Sequence, residues 1–239
     1  MELPKKYKKD FAHSYALGPF PTFELLQNRP EAARAVYYSE SFREQEKLTA
    51  LCKTLGVPCF CSDKALERIS QKEVCYAAAE FQKYPGHLHA ERLHVALVEP
   101  ADFGNLGTIE RTLLGFGVKD LAIIGETAAD LWNPKAVRAS MGALFRLEVQ
   151  CFPDFESYLA EFGAGRDIFP FMLDGGTVLE PGTVPETGLY TLVFGNEAAG
   201  LPATFQTYGK SLFIRQSDEV DSLNLAVAVA VGTFLFTQK

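Results

Sequence analysis

The chain is expected to fold as α/β in two consecutive segments. Three observations predict this. Strand-like and helix-like runs alternate along most of its length, one Pro/Gly/His-containing stretch interrupts the alternation, and the composition suits a packed core. Of 239 residues, 47% are hydrophobic and 22% charged, which excludes wholesale disorder. The length allows one large domain or two modest ones.

In the first segment, residues 1–83, Phe20 to Asn28 reads as a helix and Ala35 to Tyr38 as a strand. Arg43 to Leu55 has helical spacing in Leu48, Leu51, Cys52 and Leu55, with Gly56 placed to stop it. Val57 to Cys61 is a second strand. Ser62-Asp63 caps a short helix through Ile69, and Val74 to Ala79 gives a third strand. This alternation favours a mostly parallel sheet. Gln82 to Arg92 breaks the pattern, and residues 84–93 are the expected linker.

The second segment, residues 94–239, alternates again. Strands are expected at His94–Glu99, Leu121–Ile124, Phe145–Cys151, Ile168–Leu173 and Tyr190–Phe194. Helices lie near Leu106–Leu114, Pro134–Met141 and Phe155–Glu161. A short strand, Leu212–Ile214, precedes a closing helix from Leu223. That last run, to Phe236, is the most apolar in the chain, but it is short for a bilayer and carries Asn224 and Thr233. It reads as a buried helix.

Five cysteines without a disulfide-framework spacing point to a reducing cytoplasm. Cys59-Phe-Cys61 is explained by strand alternation, and no second ligand pair follows at zinc spacing, so no metal is expected. His87-Leu-His89 reads as solvated linker. The amino terminus has lysines but no apolar run after them, so it does not read as a signal peptide. A net charge of −7 argues against a nucleic-acid partner, since phosphate contacts supply most non-specific affinity. Charge distribution matters more than its sum. Lys5, Lys6, Lys8 and Lys9 cluster at the start, with Arg29, Arg34, Arg43 and Lys47 after them. By themselves these read as a solvated basic face.

Three clusters carry candidate chemistry. In Asn105-Leu-Gly-Thr-Ile-Glu-Arg111, about 100° per residue puts Leu106, Ile109, Leu113 and Phe116 on one side, to pack on a sheet. Gly107 and Arg111 fall on the other, with room above the guanidinium, and Asn105 is placed to cap the helix. Spacing alone would leave Arg111 a surface arginine. In Leu192-Val-Phe-Gly-Asn-Glu-Ala-Ala-Gly-Leu201 a strand runs into a Gly-bearing loop with one carboxylate, Glu197, at its mouth. Open α/β sheets place ligands there, though a simple tight turn reads equally well. The third, Ile214 to Asn224, leads into the closing helix. Ser222 is placed to cap it, and Asn224 is an isolated amide that must find partners.

Taken together and in order, these clusters resemble the three motifs of the SpoU/TrmH family of RNA ribose methyltransferases, in the SPOUT superfamily. The first matches at Asn105, Gly107 and Arg111, the second at Gly195, Glu197, Gly200 and Leu201, the third at Ile214, Ser222, Leu223 and Asn224. Arg138 to Ala143 also looks like the family's. The segment before His94 resembles, more weakly, a ribosomal-protein-like α/β substrate-binding domain. Where members often carry Pro-Met and a nearby Gly, Arg215, Gln216 and Asp218 stand here, and Asp218, Glu219 and Asp221 make the loop acidic.

The resemblance implies a carboxy-terminal SPOUT-type parallel sheet with a deep trefoil knot, a cytoplasmic homodimer with active sites at its interface, and no membrane or metal. It implies S-adenosylmethionine as cofactor, bound by Gly195, Asn196, Gly200, Leu201, Ile214 and Leu223. It implies 2′-O-ribose methylation of structured RNA, ribosomal RNA above transfer RNA. Arg111, Asn105, Glu197, Ser222 and Asn224 are the implied catalytic set. Arginine stays protonated in proteins, so a phosphate-binding, charge-stabilising role suits Arg111 better than that of a base. Competing readings are a relative that binds RNA or cofactor without turnover, and an enzyme acting on a small nucleotide.

Overall fold

The computed structural model describes residues 3–70, 74–185 and 188–237. In chain order its first elements are β1 (His13–Leu17), α1 (Pro19–Asn28), β2 (Ala33–Tyr38), α2 (Gln45–Leu55), β3 (Cys59–Cys61), α3 (Asp63–Ser70) and β4 (Ala77–Gln82). Next come β5 (His94–Val98), α4 (Phe103–Gly115), β6 (Asp120–Ile124), α5 (Pro134–Ala139), β7 (Glu148–Phe152), α6 (Phe155–Phe162) and β8 (Arg166–Pro170). The last are β9 (Thr177–Val178), β10 (Leu189–Phe194), β11 (Leu212–Phe213) and α7 (Leu225–Thr237). They form two compact units, residues 1–84 with 130–146, and residues 85–129 with 147–239. Residues 130–146, read from the sequence as part of the second segment, therefore cluster with the first unit.

The first unit is built on a four-stranded sheet in the order β1-β4-β2-β3. β4 runs antiparallel to both neighbours and only β2 and β3 are parallel, so the sheet is mixed rather than mostly parallel. Periodicity reports that a strand exists; its direction depends on where the chain re-enters the sheet. β1, absent from the sequence reading, supplies one edge. β4 begins later than expected, at Ala77. Part of the connection before it, residues 71–73, lies outside the described residues. Gly56, in the left-handed region at φ 69°, ends α2 as expected. On one sheet face Tyr15, Leu17, Tyr37 and Ala78 pack with Ala65, Leu66 and Ile69 of α3. Phe81 meets Phe145 edge-on at 5.1 Å, and Tyr84 meets Trp132 at 4.9 Å.

The second unit holds a five-stranded, wholly parallel sheet in the order β7-β6-β5-β10-β8. The expected strands are present. The one predicted from Phe145 starts only at Glu148, because Ala143–Arg146 winds into a 3₁₀ turn. Parallel strands buried on both faces read as continuous apolar runs, as Leu121–Ile124 and Leu192–Phe194 do. Phe155, Tyr158 and Phe162 of α6 pack with Ala96, Ala122, Ile168 and Val193. α7 packs against α4 and β10. β9 and β11 form a small parallel pair, and Met172 donates its N–H to Leu212 at 2.8 Å, holding the chain after β8 against β11.

In the stretch read as solvated linker, His87 and residues 90–92 are exposed, but part of it packs in this unit. Leu88 is buried, and the Asp120 carboxylate accepts from the His89 backbone N–H at 2.7 Å and lies 2.8 Å from its ring Nδ1. The partner of His89 is 31 residues away in sequence, so no local spacing revealed it.

Candidate active site

β10 lies between β5 and β8, so the connections leaving β5 and β10 diverge and open a crevice at the carboxyl end of the sheet, where α/β folds bind ligands. A cavity of about 330 Å³ occupies this end. Its wall is drawn from the loop after β8 (Phe171 to Asp174), the loop after β10 (Gly195 to Leu201), Ile214 and Gln216 after β11, and the start of α7. The volume is in the range of small-molecule sites. A larger depression at the other end of the sheet, beside Arg92, Lys119 and Asp120, receives none of the three sequence clusters.

The loop after β10 is held by its own polar groups. Asn196 accepts the N–H of Ala198 at 2.9 Å and of Ala199 at 3.1 Å, and its side-chain amide donates to the Glu99 carbonyl at 2.7 Å. Glu99 has φ 49°, an uncommon backbone conformation for a non-glycine residue at the end of β5. Gly195 faces backbone: a Cβ there would lie 2.2 Å from the Gly200 carbonyl carbon and 2.4 Å from the Leu201 nitrogen. Gly200, at φ 67°, closes the turn by donating its N–H to the Asn196 carbonyl at 2.9 Å.

Glu197 ties this loop to α4. Its carboxylate accepts from the backbone N–H of Ala101 at 2.9 Å, the N–H of Asp102 at 3.1 Å and the Asn105 side-chain amide at 3.1 Å. Burial pushes its pKa up, but these donors outweigh burial and hold it below the ordinary carboxylate value. A depressed folded-state pKa contributes stability above the unfolded value, and that stability is lost as pH falls through the folded value. The stability gap between this protein and a Glu197→Gln variant is therefore expected to be flat above about pH 4.3 and to narrow below it. Denaturant midpoints measured across acid pH test this, and a gap independent of pH would show that the anion is not what matters.

Asn105 passes the link on. Its side-chain oxygen accepts from the Asn224 amide at 3.0 Å, and the Asn224 oxygen accepts the N–H of Ala226 at 2.8 Å. All three sequence clusters thus meet in one hydrogen-bonded chain, Glu197–Asn105–Asn224. Two expected caps are corrected. Asp102, not Asn105, caps α4, accepting the Asn105 N–H at 2.7 Å. Asn224, not Ser222, caps α7. In both cases the helix begins within a few residues of the expected place, and the oxygen that reaches the free N–H groups does the capping.

Gly195, Asn196, Gly200, Leu201, Ile214, Leu223, Glu197 and Ser222 all line the cavity. Asn105 and Asn224 are not part of its lining. Arg111 does not line it: the side chain is exposed on α4, with no hydrogen bond or ion pair among the described residues. Leu106, Ile109 and Leu113 are buried as expected, but Gly107 is buried as well and does not form an open shelf above Arg111. The sequence reading missed Phe171, Met172, Asp174, Phe194, Leu225 and Ala228. Asp174-Gly-Gly176 directly after a strand was the available signal. Among the described residues, the charged ones lining the cavity are Asp174 and Glu197, both carboxylates.

Comparison with known proteins gives a consistent picture. Residues 92–234 match the model of the SpoU rRNA Methylase family. The 23S rRNA (guanosine(2553)-2′-O)-methyltransferase RlmP of Bacillus subtilis is 29% identical over 180 residues, 74% of this chain and 71% of that protein. A putative RNA (cytidine(34)-2′-O)-methyltransferase of Lactobacillus gasseri is 28% identical over 58% of this chain and 76% of its own length. In structure, the SpoU methyltransferase AviRb of Streptomyces viridochromogenes in complex with the cofactor AdoMet superposes with a TM-score of 0.81. It covers 95% of this chain and 90% of its own at 21% identity, a likeness of fold.

Proposed function

The chain belongs to the SpoU rRNA methylase family and is an RNA 2′-O-methyltransferase, and on that premise we propose that it uses the cavity at the carboxyl end of its parallel sheet to methylate a ribose of ribosomal RNA with S-adenosylmethionine. The observation that carries this reading is the Glu197–Asn105–Asn224 chain, which joins the three sequence clusters beside that cavity. Ribosomal RNA is favoured over transfer RNA by extent. The match to the 23S rRNA enzyme spans 74% of the chain, whereas a structure solved for 2-OH methylation of C/U34 on tRNA covers 61% of it.

The cavity fits the cofactor. Phe171, Phe194, Ile214 and Leu225 offer apolar surface for an adenosine, the loop after β10 offers backbone groups, and the lining charges are negative. When bound, S-adenosylmethionine supplies an electrophilic methyl group on a positively charged sulfur. Gly195, Asn196, Gly200, Leu201, Ile214 and Leu223 would hold it. Glu197 and Asn105 fix the loop, and Asn224 fixes the start of α7 against α4. Ser222, which lines the cavity, would help orient the ribose. Arg111 holds the phosphate next to the target ribose and stabilises charge developing on its 2′-oxygen. Positioning the hydroxyl in line with the methyl supplies much of the rate.

The proposal extends to a homodimer with active sites at its interface. It is supported by an apolar stripe on α7, where Val227 is 48% and Phe234 is 49% exposed, on the helix that packs against the one bearing Arg111. Placement of β10 between β5 and β8 suits a trefoil knot closed by α7. The first unit is read as the RNA-binding domain. The chain is read as cytoplasmic; among the described residues no helix is long and apolar enough to cross a membrane.

Incubation with methyl-labelled S-adenosylmethionine and unmodified ribosomal RNA, followed by digestion to nucleosides, tests the reaction. Label in a ribose-methylated nucleoside is expected. Label on a base would overturn the acceptor, and no label with cofactor binding intact would leave a binding protein.

A further inference from the structure

The amino-terminal lysines are anchored rather than trailing. The Tyr15 hydroxyl donates to the Lys5 carbonyl at 2.6 Å, the Lys83 ammonium donates to the Lys9 carbonyl at 2.8 Å, and Lys83 donates its N–H to the Ala12 carbonyl at 2.9 Å. Tyr7 bonds to Asp130, and its ring lies 5.0 Å below the Lys83 ammonium. Residues 5–12 are thereby fixed beside the β1–β4 edge, with Lys5, Lys6, Lys8 and Lys9 all exposed.

The same place offers an aromatic surface. Strand alternation puts His13 on the face that carries Tyr15, Leu17 and Tyr37, but α3 has only eight residues and packs on the latter three. Beyond it, Phe11 stacks on His13 with ring centroids 5.0 Å apart and planes 29° apart. Both rings are partly exposed. Arg34, paired with Glu80 at 3.5 Å, and Lys83 flank them. The carboxylates nearby are Asp10, Glu80 and Asp130, and the last two already have partners. In a chain of net charge −7 this is a local concentration of cations around a stacked aromatic pair.

We propose that this surface, Phe11 and His13 together with Arg34, Lys83 and the anchored amino-terminal lysines, binds an unpaired RNA loop, bases on the rings and phosphates on the cations; the inference rests on the reading of the protein as an RNA methyltransferase. Cations alone would suit any polyanion. Aromatic rings among them favour single-stranded nucleotides, whose bases are free to stack. Duplex RNA would engage the lysines and not the rings.

Binding of the full-length protein to two RNA hairpins of identical stem, one with a long unpaired loop and one with a minimal loop, tests this by mobility shift over a range of salt. Phe11→Ala is expected to weaken long-loop binding about 10-fold and leave the minimal-loop hairpin unchanged, with Phe11→Tyr restoring it. Replacing Lys5, Lys6, Lys8 and Lys9 together by Gln is expected to lower the salt slope by about 0.7 for each phosphate that the protein no longer neutralises. The lysines are exposed, so this second variant keeps the test open where Phe11→Ala lowers stability. S-adenosylmethionine affinity, which reads the other unit, should not change in either. If the parent binds the long-loop RNA and both variants match it, the surface is refuted and the methyltransferase reading stands. Equal weakening of both hairpins by Phe11→Ala refutes stacking. A parent that binds neither these RNAs nor ribosomal RNA sinks the RNA reading and this surface with it.

Discussion

Gly195→Ala is expected to abolish S-adenosylmethionine binding by calorimetry, a loss of at least about 100-fold, and to lower the unfolding midpoint as well. The added methyl carbon would lie 2.2 Å from the Gly200 carbonyl carbon, 2.4 Å from its oxygen and 2.4 Å from the Leu201 nitrogen. All three are backbone atoms of the loop that lines the cavity, so no side-chain rotation relieves the clash. The Asn196–Gly200 turn has to open, and the Asn196 bonds to Ala198, Ala199 and Glu99 go with it. Overpacking a tight site typically costs about 1–3 kcal/mol, and here a built ligand wall is lost in addition. Gly182→Ala is the control. Its added carbon meets nothing within 4 Å, and both midpoint and affinity should be unchanged. Retained cofactor affinity in Gly195→Ala would place the binding site elsewhere.

Arg111→Ala is expected to lower single-turnover methylation of ribosomal RNA by about 10²–10³ while leaving S-adenosylmethionine affinity within about twofold. The separation follows from where the residue stands. Arg111 is exposed on α4, outside the cavity lining, so its removal should disturb neither fold nor cofactor. Arg111→Lys should recover little, because a planar guanidinium grips phosphate oxygens with two parallel donors and an ammonium does not. Near-full activity of the lysine variant would reduce the role to a point charge. Loss of cofactor affinity in Arg111→Ala would contradict its placement outside the pocket.

The parts of this protein that were legible in the sequence are those governed by near neighbours along the chain. The apolar runs of β5, β6 and β10, the buried stripe Leu106–Ile109–Leu113 of α4 and the glycine that ends α2 follow from periodicity and turn chemistry. The loop after β10 read equally well as a ligand loop or a tight turn, and the family resemblance, not periodicity, favoured the ligand loop. Gly195, Asn196, Gly200, Leu201, Ile214 and Leu223 do line one pocket.

The features that escaped the sequence are matters of long-range partnership. β4 runs antiparallel between β1 and β2, which depends on how the chain re-enters the sheet after α3. His89 in a polar stretch looks solvated until Asp120 at the foot of β6 is brought against it. Asn105 and Ser222 are both reasonable caps by type and position, yet Asp102 and Asn224 have the oxygens within reach. That leaves Asn105 free to join Glu197, 92 residues on, to Asn224, 119 residues on. Most of the strands and helices were readable along the chain, β1 and the 3₁₀ turn at Ala143–Arg146 excepted, because they follow from short-range sterics and side-chain periodicity. The antiparallel run of β4, the hydrogen-bonded union of the three clusters and the seating of Arg111 outside the pocket depend on three dimensions, where the partner of each polar group is set by packing.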